Sequence, residues 1–329
     1  MTESDRFNPD GLILSAHYRE TMEQAVLPYL QARQQDALLP GDGGTPLFVS
    51  CFAADAPRGT VVVVHGFTEN AFKYSELIFS LLQNGFNVCA YDQRGHGRSG
   101  RDERVKADPS LTHVDRFEAY VRDLEIVCGQ LQTRWPGPYG VFAHSMGGAV
   151  VSLLMENHPG VFSRAALCAP MIAPHRGGLP LTAGLVLCRG AKLLGRGASR
   201  LLGGKPYAGP EDFDTSCATG RERFDWYDAV KAARPEFHNN GPTYQWTLEA
   251  LQVTQKLLRP GAVEKIDVPV QVYGAEQDSS VLPEAQIAFA ARLKHGGRRV
   301  VAGSRHEIYR SGDAVLFPWW HEVLDFLKG

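Results

Sequence analysis

The run Val61-Val62-Val63-Val64 constrains the fold of this 329-residue chain more than any other segment. Four consecutive β-branched residues favour an extended backbone, and an uninterrupted apolar run offers no polar face to water. A strand of this kind has to be covered on both sides. Short apolar runs over residues 88–91, 139–143, 165–169, 268–273 and 299–302 read as further strands. Helical patterns separate them, over residues 71–82, 114–133, 146–157, 283–294 and 313–328, and Asn84-Gly85 stops the first of these. Residues 45–52 are expected to add an antiparallel edge strand. The alternation implies an α/β fold, a doubly wound and mostly parallel sheet with helices on both faces.

The stretch over residues 171–263 interrupts this rhythm. It is longer than an ordinary crossover, has few strand runs and carries several aromatics, so it reads as a helical cap inserted between two strands. The expected organisation is an N-terminal, partly helical extension (1–40), a first core segment (41–170), the cap (171–263) and a second core segment (264–329). The chain is 44% hydrophobic and 21% charged, enough to bury a sizeable core. Lys+Arg number 34 and Asp+Glu 36, a balance that argues against a general nucleic-acid binder. No apolar run reaches the ~18 residues of a spanning helix. The opening Met-Thr-Glu-Ser-Asp-Arg lacks the basic and apolar regions of a signal peptide, so a cytoplasmic location is expected. Six scattered cysteines without a C-x-x-C pair read as reduced core residues, and the eleven histidines form no metal-binding pattern. No metal or organic cofactor is implied.

The chemistry concentrates in Val141-Phe142-Ala143-His144-Ser145-Met146-Gly147-Gly148-Ala149-Val150, where a strand runs directly into a helix with a serine at the junction. This is the arrangement of a nucleophile elbow, in which a strained turn lifts the serine Oγ clear of the sheet. Small residues on either side let strand and helix approach. The usual pattern is G-x-S-x-G; here its first position is Ala143, which is still small.

A nucleophilic serine needs a base, an orienting acid and an oxyanion hole. In an open α/β sheet these must follow the carboxyl ends of strands, in the chain order Ser, acid, His. Asp278 lies five residues past Tyr273, at the correct end of its strand; Glu276 is the competing carboxylate, and Asp267 sits at the wrong end. Only His306 follows the last strand and precedes the last helix. His65, His96 and His144 come before the acid, His295 before the last strand, and His321 inside the final helix. His65-Gly66-Phe67 follows the Val61-Val64 strand, so the backbone N–H groups of Phe67 and Met146 are the expected oxyanion donors.

Two other motifs fail on context. Gly95-His96-Gly97-Arg98-Ser99-Gly100 matches G-x-G-x-x-G, but the charged, proline-broken segment after it opens no amphipathic helix. Gly203-Gly204-Lys205 is followed by Pro206 rather than the Ser or Thr of a phosphate loop.

From about Thr45 to Lys328 the sequence resembles the α/β-hydrolase superfamily, and most closely its bacterial lysophospholipase and monoacylglycerol lipase group, the serine aminopeptidase S33-type hydrolases. The resemblance rests on His65-Gly66, on Tyr91-Asp-Gln-Arg-Gly-His-Gly-Arg-Ser-Gly100, on Ala143-His-Ser-Met-Gly-Gly148, on Gly241-Pro-Thr-Tyr-Gln-Trp246 and on Ser304-Arg-His-Glu-Ile308. It implies Ser145, Asp278 and His306 as a catalytic triad, a helical cap, no cofactor, and a single-chain lipid ester as substrate. Two alternatives remain on the same fold: a proline-type aminopeptidase, for which Glu211, Asp212 and Asp214 could receive an amine, and a non-catalytic interaction protein.

The cap adds its own chemistry. Residues 172–210 contain no acid, and Arg189, Lys192, Arg196 and Arg200 are spaced so that a continuous helix would carry them as one basic stripe. Such a stripe predicts peripheral contact with the inner face of an anionic membrane. Tyr207, Trp226, Tyr244 and Trp246 are candidates to wall an acyl pocket.

Overall fold

Over residues 5–329, which the computed structural model describes, the chain alternates strands and helices. The strands are β1 (Gln34–Pro40), β2 (Pro46–Phe52), β3 (Gly59–Val64), β4 (Phe86–Tyr91), β5 (Leu111–Thr112), β6 (Tyr139–His144), β7 (Arg164–Cys168), β8 (Gly241–Pro242), β9 (Val270–Gln277) and β10 (Gly296–Arg305). A helical run over residues 18–33 contains α1 (Tyr18–Thr21) and α2 (Leu27–Arg33). It is followed by α3 (Ser75–Gln83), α4 (Glu118–Arg134), α5 (Met146–Asn157), α6 (Leu181–Leu193), α7 (Arg221–Ala233), α8 (Tyr244–Leu257), α9 (Pro283–Ala290) and α10 (Asp313–Lys328).

Eight strands form one sheet in the order β1-β2-β4-β3-β6-β7-β9-β10, while β5 and β8 pair separately. From β4 to β10 every pairing is parallel; β1 and β2 run antiparallel. β3 lies inside the sheet and all six of its residues are buried. Its side chains alternate as the pleat requires: Val62 and Val64 enter the layer beneath α4, α5 and α8, while Val61 and Val63 enter the layer beneath α3 and α10. The fold class read from the β-branched runs is therefore the one observed. Helices α6, α7 and α8 all fall between β7 and β9. Among the described residues no helix is long and apolar enough to cross a membrane, and the six cysteines are free.

Several local expectations differ from the structure. Residues 46–52 do form an antiparallel strand, but not the edge. That position belongs to β1, paired with β2 along its whole length from Gln34↔Phe52 to Pro40↔Pro46. The preceding segment is equally integrated, with Leu12, Ile13, Met22, Val26 and Leu30 buried against α3 and α10. Its polar anchor is Arg223 of α7, which is 1% exposed. That guanidinium donates to both Glu76 carboxylate oxygens at 2.9 Å, to Asp313 Oδ1 at 2.8 Å and to the Ile13 carbonyl at 2.7 Å. Helix α9 stops at Ala290, short of residue 294, because the chain must turn into β10 at Gly296. Helix α4 begins at Glu118 rather than 114, and the Phe117 N–H just before it donates to Glu249 instead of opening a helical turn.

The basic stripe does not form. Helix α6 ends at Leu193, and Gly195, with φ of +74°, reverses the chain there. Arg196 lies in the following turn, and Arg200 turns inward to Asp108 and Ser110, at 2.6 and 2.7 Å. Glycines at 190, 195 and 197 weaken a helix that would have to continue past them.

One buried acid is unpaired. Glu156, near the end of α5, is 2% exposed, and neither carboxylate oxygen has a hydrogen-bond partner. Burial pushes its acidity constant up to about 7, against the pull of Arg259, Lys265 and Arg292. The folded state therefore favours the neutral acid, and its stability falls as pH rises from the unfolded carboxyl range near ~4.3 through 7. Glu156→Gln is expected to stabilise the protein by about 1–3 kcal/mol at pH 8 and by almost nothing at pH 5. Urea titrations at the two pH values check this; an equal effect at both would contradict it.

Candidate active site

The site is assembled at the carboxyl ends of four parallel strands. β6 delivers Ser145, β3 delivers the turn His65-Gly66-Phe67, β9 delivers Asp278 and β10 delivers His306. Ser145 has φ of +50° and ψ of −116°, outside ordinary L-residue territory, a conformation costing about 1–3 kcal/mol. Its neighbours hold it there: the Ser145 N–H donates to the Cys168 carbonyl at 3.0 Å, and the N–H groups of Met171 and Gly148 donate to the Ser145 carbonyl at 2.8 and 2.9 Å. The glycine at 147 is required by approach rather than by φ. A Cβ there would stand 2.4 Å from the Val64 carbonyl oxygen. Ala143, within β6, meets no such demand, which is why alanine can stand at that position.

His306 Nε2 lies 2.9 Å from Ser145 Oγ, and His306 Nδ1 lies 2.9 Å from Asp278 Oδ2. The other Asp278 oxygen accepts the N–H groups of Ser280 and Val281, at 2.9 and 3.1 Å. Burial alone would raise the Asp278 acidity constant. The His306 contact and the two backbone donors outweigh it and hold the carboxyl below its ordinary range. Glu276 does not compete: it is exposed and accepts the Gly303 N–H instead. Such a relay can take a proton from the serine hydroxyl and keep the imidazole oriented while it does so. The N–H groups of Phe67 and Met146 flank the serine from β3 and α5. Neither is engaged by a side chain or a loop carbonyl among the described residues.

Sequence reasoning missed the layer beneath this relay. Glu69, four residues after His65, is 3% exposed. Its Oε2 accepts the Gly66 N–H and the Tyr74 hydroxyl, each at 2.6 Å, and lies 3.1 Å from His144 Nδ1. Its Oε1 accepts the Tyr309 hydroxyl at 2.6 Å and the Lys73 ammonium at 3.2 Å. His144 Nε2 in turn faces the His306 carbonyl at 3.2 Å. Both ring nitrogens of His144 therefore face acceptors, which requires two N–H groups and hence an imidazolium. The electrostatics agree. Burial lowers the proton affinity of His144, but Glu69 reverses this and holds it above the usual histidine range. Burial likewise raises Glu69, while His144 and Lys73 carry it well below the usual carboxylate range. Lys73 extends the network to Glu307 at 2.6 Å, and Glu307 holds Arg310, also at 2.6 Å. The available signal was the crowding of charged and imidazole groups directly after β3, directly before Ser145 and next to His306. The chain order excludes His144 as the base, not as a support.

The candidate aromatic wall divides. Trp246 packs at a tilt against Phe67, with ring centroids 3.9 Å apart, and donates to the Tyr120 hydroxyl at 3.2 Å. It thus braces the turn beside Ser145. Tyr207 lines a polar chamber near the site. Trp226 packs between Tyr18 and Phe72, and Tyr244 joins Leu185, Leu248 and Leu251 inside the cap. The last two are buried packing residues, Trp226 in the layer beneath α3 and α10 and Tyr244 in a separate cluster between α6 and α8.

The profile of the family described as "Serine aminopeptidase, S33" matches residues 55–313. The chain belongs to this family of hydrolases, with the α/β-hydrolase fold. It is 32% identical over 334 residues to the lysophospholipase L2 of Escherichia coli K12, covering 94% of each chain. It is 34% identical over 158 residues to the monoacylglycerol lipase of Mycolicibacterium smegmatis, covering 47% of this chain and 52% of that one. Among solved structures, a soluble variant of monoglyceride lipase from Saccharomyces cerevisiae superposes with a TM-score of 0.67 at 18% identity, covering 90% of this chain and 95% of that one. A carboxyl esterase from Bacillus coagulans does so with a TM-score of 0.70 at 20% identity, covering 90% and 98%.

Glu69→Gln leaves the fully buried His144 imidazolium without its counter-charge, and such a loss typically costs about 3–5 kcal/mol. The pair's contribution is lost in acid as Glu69 protonates and in alkali as His144 deprotonates. The destabilisation by Glu69→Gln should therefore be greatest near neutrality and shrink at both extremes. Urea unfolding from pH 4 to 10 measures it, and a penalty independent of pH would contradict the ion pair.

Proposed function

We propose that this protein is a lipid ester hydrolase that cleaves the carboxylic ester of a single-chain lipid, a lysophospholipid or a monoacylglycerol, through an acyl-enzyme on Ser145. The observation that carries this reading is the Ser145–His306–Asp278 relay, with both contacts at 2.9 Å, at the end of a strained strand-to-helix turn. Ser145 Oγ attacks the ester carbonyl carbon as its proton passes to His306 Nε2. The carbonyl oxygen, now negative, receives the Phe67 and Met146 N–H groups. Collapse expels the alcohol, which takes the proton from His306 Nε2. Water, deprotonated by the same nitrogen, then attacks the acyl-enzyme and releases the fatty acid. Asp278 fixes the tautomer throughout and balances the transient imidazolium. The names of the relatives, lysophospholipase and monoacylglycerol lipase, support the substrate class.

Ser145→Ala is expected to lower kcat on a soluble acyl ester by at least about 10,000-fold while leaving the unfolding curve intact. Retained turnover would overturn the assignment. Monoacylglycerols, lysophospholipids and aminoacyl-proline amides tested side by side separate this reading from an aminopeptidase, which would prefer the last.

The same reading includes contact with a lipid surface, through apolar residues rather than a basic stripe. Val186, Leu193, Leu194 and Leu202 are 70, 87, 79 and 81% exposed. Arg189, Lys192 and Arg196 stand among them in a stretch without acids. Replacing Leu193, Leu194 and Leu202 with serine should cut co-sedimentation with phosphatidylglycerol-containing vesicles at least about tenfold, since each leucine withdrawn from water is worth roughly 1.5–3 kcal/mol. Unchanged co-sedimentation would remove the membrane reading.

A further inference from the structure

Strands β2 and β4 bring two thiols face to face. Cys51 and Cys89 are direct partners in the antiparallel register, flanked by Ser50↔Ala90 and Phe52↔Val88. The backbone bonds nearby fix which kind of pair they form. The Asp92 N–H donates to the Phe48 carbonyl at 2.9 Å, so the even-numbered residues of β2 turn their peptide groups toward β4. The Gly41 N–H donates to the Thr45 carbonyl at 2.8 Å, so the odd-numbered residues turn theirs toward β1. Cys51 and Cys89 are therefore a non-hydrogen-bonded pair, in which opposite Cα atoms stand about 4.5 Å apart and the side chains approach most closely. A disulfide spans Cα separations of about 4.4–6.8 Å, so this pair lies within reach of one. Both side chains enter the layer beneath α4, where Cys128 also packs.

The two thiols are not equivalent. Cys51 is 7% exposed, whereas Cys89 is sealed. The guanidinium of Arg134, the last residue of α4, donates to the side chain of Gln35, and Gln35 is the partner of Cys51 on β1. Arg134 makes no ion pair among the described residues, so an uncommitted cation stands over the Cys51 position. Contact with the Cys89 thiol holds the Cys51 thiol below its ordinary range against the effect of burial, with Arg134 assisting and Asp36 opposing. The same contact, together with burial, carries Cys89 well above that range. Burial raises the other four thiols, Cys128 to about 12. Among the described residues Cys51 is thus the one thiol placed to ionise readily, and its partner is already in contact with it.

We propose that Cys51 and Cys89 are an oxidation site, at which hydrogen peroxide forms a cross-strand disulfide that staples β2 to β4. The Cys51 thiolate attacks one peroxide oxygen and breaks the O–O bond, leaving a sulfenic acid on Cys51 and a hydroxide that takes up the thiol proton as water. The Cys89 sulfur then attacks the Cys51 sulfur. The S–O bond breaks, and the oxygen leaves with the Cys89 proton as a second water. Two thiols give up two electrons and two hydrogens, and one peroxide is reduced to two waters. The bond joins strands that are already paired. It closes into a covalent loop the segment that carries the His65-Gly66-Phe67 turn and Glu69. A closed loop has fewer conformations open to it when unfolded, so the staple favours the folded state.

The test treats the folded, full-length protein with hydrogen peroxide and maps its peptides by mass without reduction. A cross-link between the peptides that carry Cys51 and Cys89 is expected, with the loss of two of the six thiols on titration in denaturant. Dithiothreitol should restore both. The oxidised protein should unfold at a urea midpoint about 1 M higher, and the shift should vanish on reduction. Cys128→Ser should leave the cross-link intact. In Cys89→Ser the sulfenic acid on Cys51 has no partner and should be trapped by dimedone, whereas in Cys51→Ser position 89 should not label. A parent in which no bond joins Cys51 to Cys89, or in which Cys51 is joined to Cys128 instead, overturns the proposal. So does dimedone labelling of Cys89 in Cys51→Ser, or a cross-linked protein whose urea midpoint has not moved.

Discussion

The buried Glu69–His144 ion pair is the interaction on which the rest of the site depends. One carboxylate holds the Gly66 N–H of the turn after β3, the imidazolium before Ser145, and the Tyr309 hydroxyl three residues after His306. The imidazolium then reaches the carbonyl of His306 itself. Three loops from distant parts of the sequence are thereby referred to a single point. The close contacts leave no room for drift: a Cβ at Gly66 would stand 2.8 Å from both Glu69 Oε2 and His144 Nδ1. In a dry interior such a pair stabilises little by itself, but it penalises any arrangement that separates its members. It therefore acts on the uniqueness of the site's geometry more than on the total stability.

The strained serine is kept by a second set of contacts. The unusual φ and ψ of Ser145 are fixed by backbone bonds to Cys168, Met171 and Gly148, all within the rigid β6–α5 and β7 framework. His65, on the other side, is locked by Gln93, whose N–H donates to its Nε2 at 2.8 Å and whose side-chain amide donates to its carbonyl at 2.6 Å. Ser145, Asp278 and His306 lie outside the strands, but each directly follows the last residue of one. The cap differs in kind. Its α7 is clamped to the body through Arg223, whereas α6 turns an apolar face outward.

Much of this was legible in the sequence, for definite physical reasons. The β-branched runs forced a doubly covered parallel sheet, and the strand-to-helix transition at Ser145 placed the site at its carboxyl edge. Topological order then separated Asp278 from Asp267 and His306 from the other histidines. What was not legible depended on distance in space. Nothing in the local pattern of Gln34–Pro40 announces an edge strand, because its pairing with β2 is a tertiary choice and most of its side chains remain outside the core. The charge spacing of Arg189, Lys192, Arg196 and Arg200 suggested a helix face, but Gly195 ended the helix and Asp108, far away in sequence, claimed Arg200. Glu69 and His144 gave no signal as a pair, since ion pairing across 75 residues has no period.

The Arg223 clamp reverses the order of synthesis and the order of burial. Ile13 and Ser15 leave the ribosome well before their partners at positions 76, 223 and 313. Until α10 has been made, Asp313 is missing and the segment that carries Leu12 and Ile13 has an incomplete seat. Apolar side chains of this segment thus wait until the chain up to α10 has been made before they are sealed. During that interval they are open to any holdase that recognises exposed hydrophobic chain, so a segment made before α10 is protected only after it.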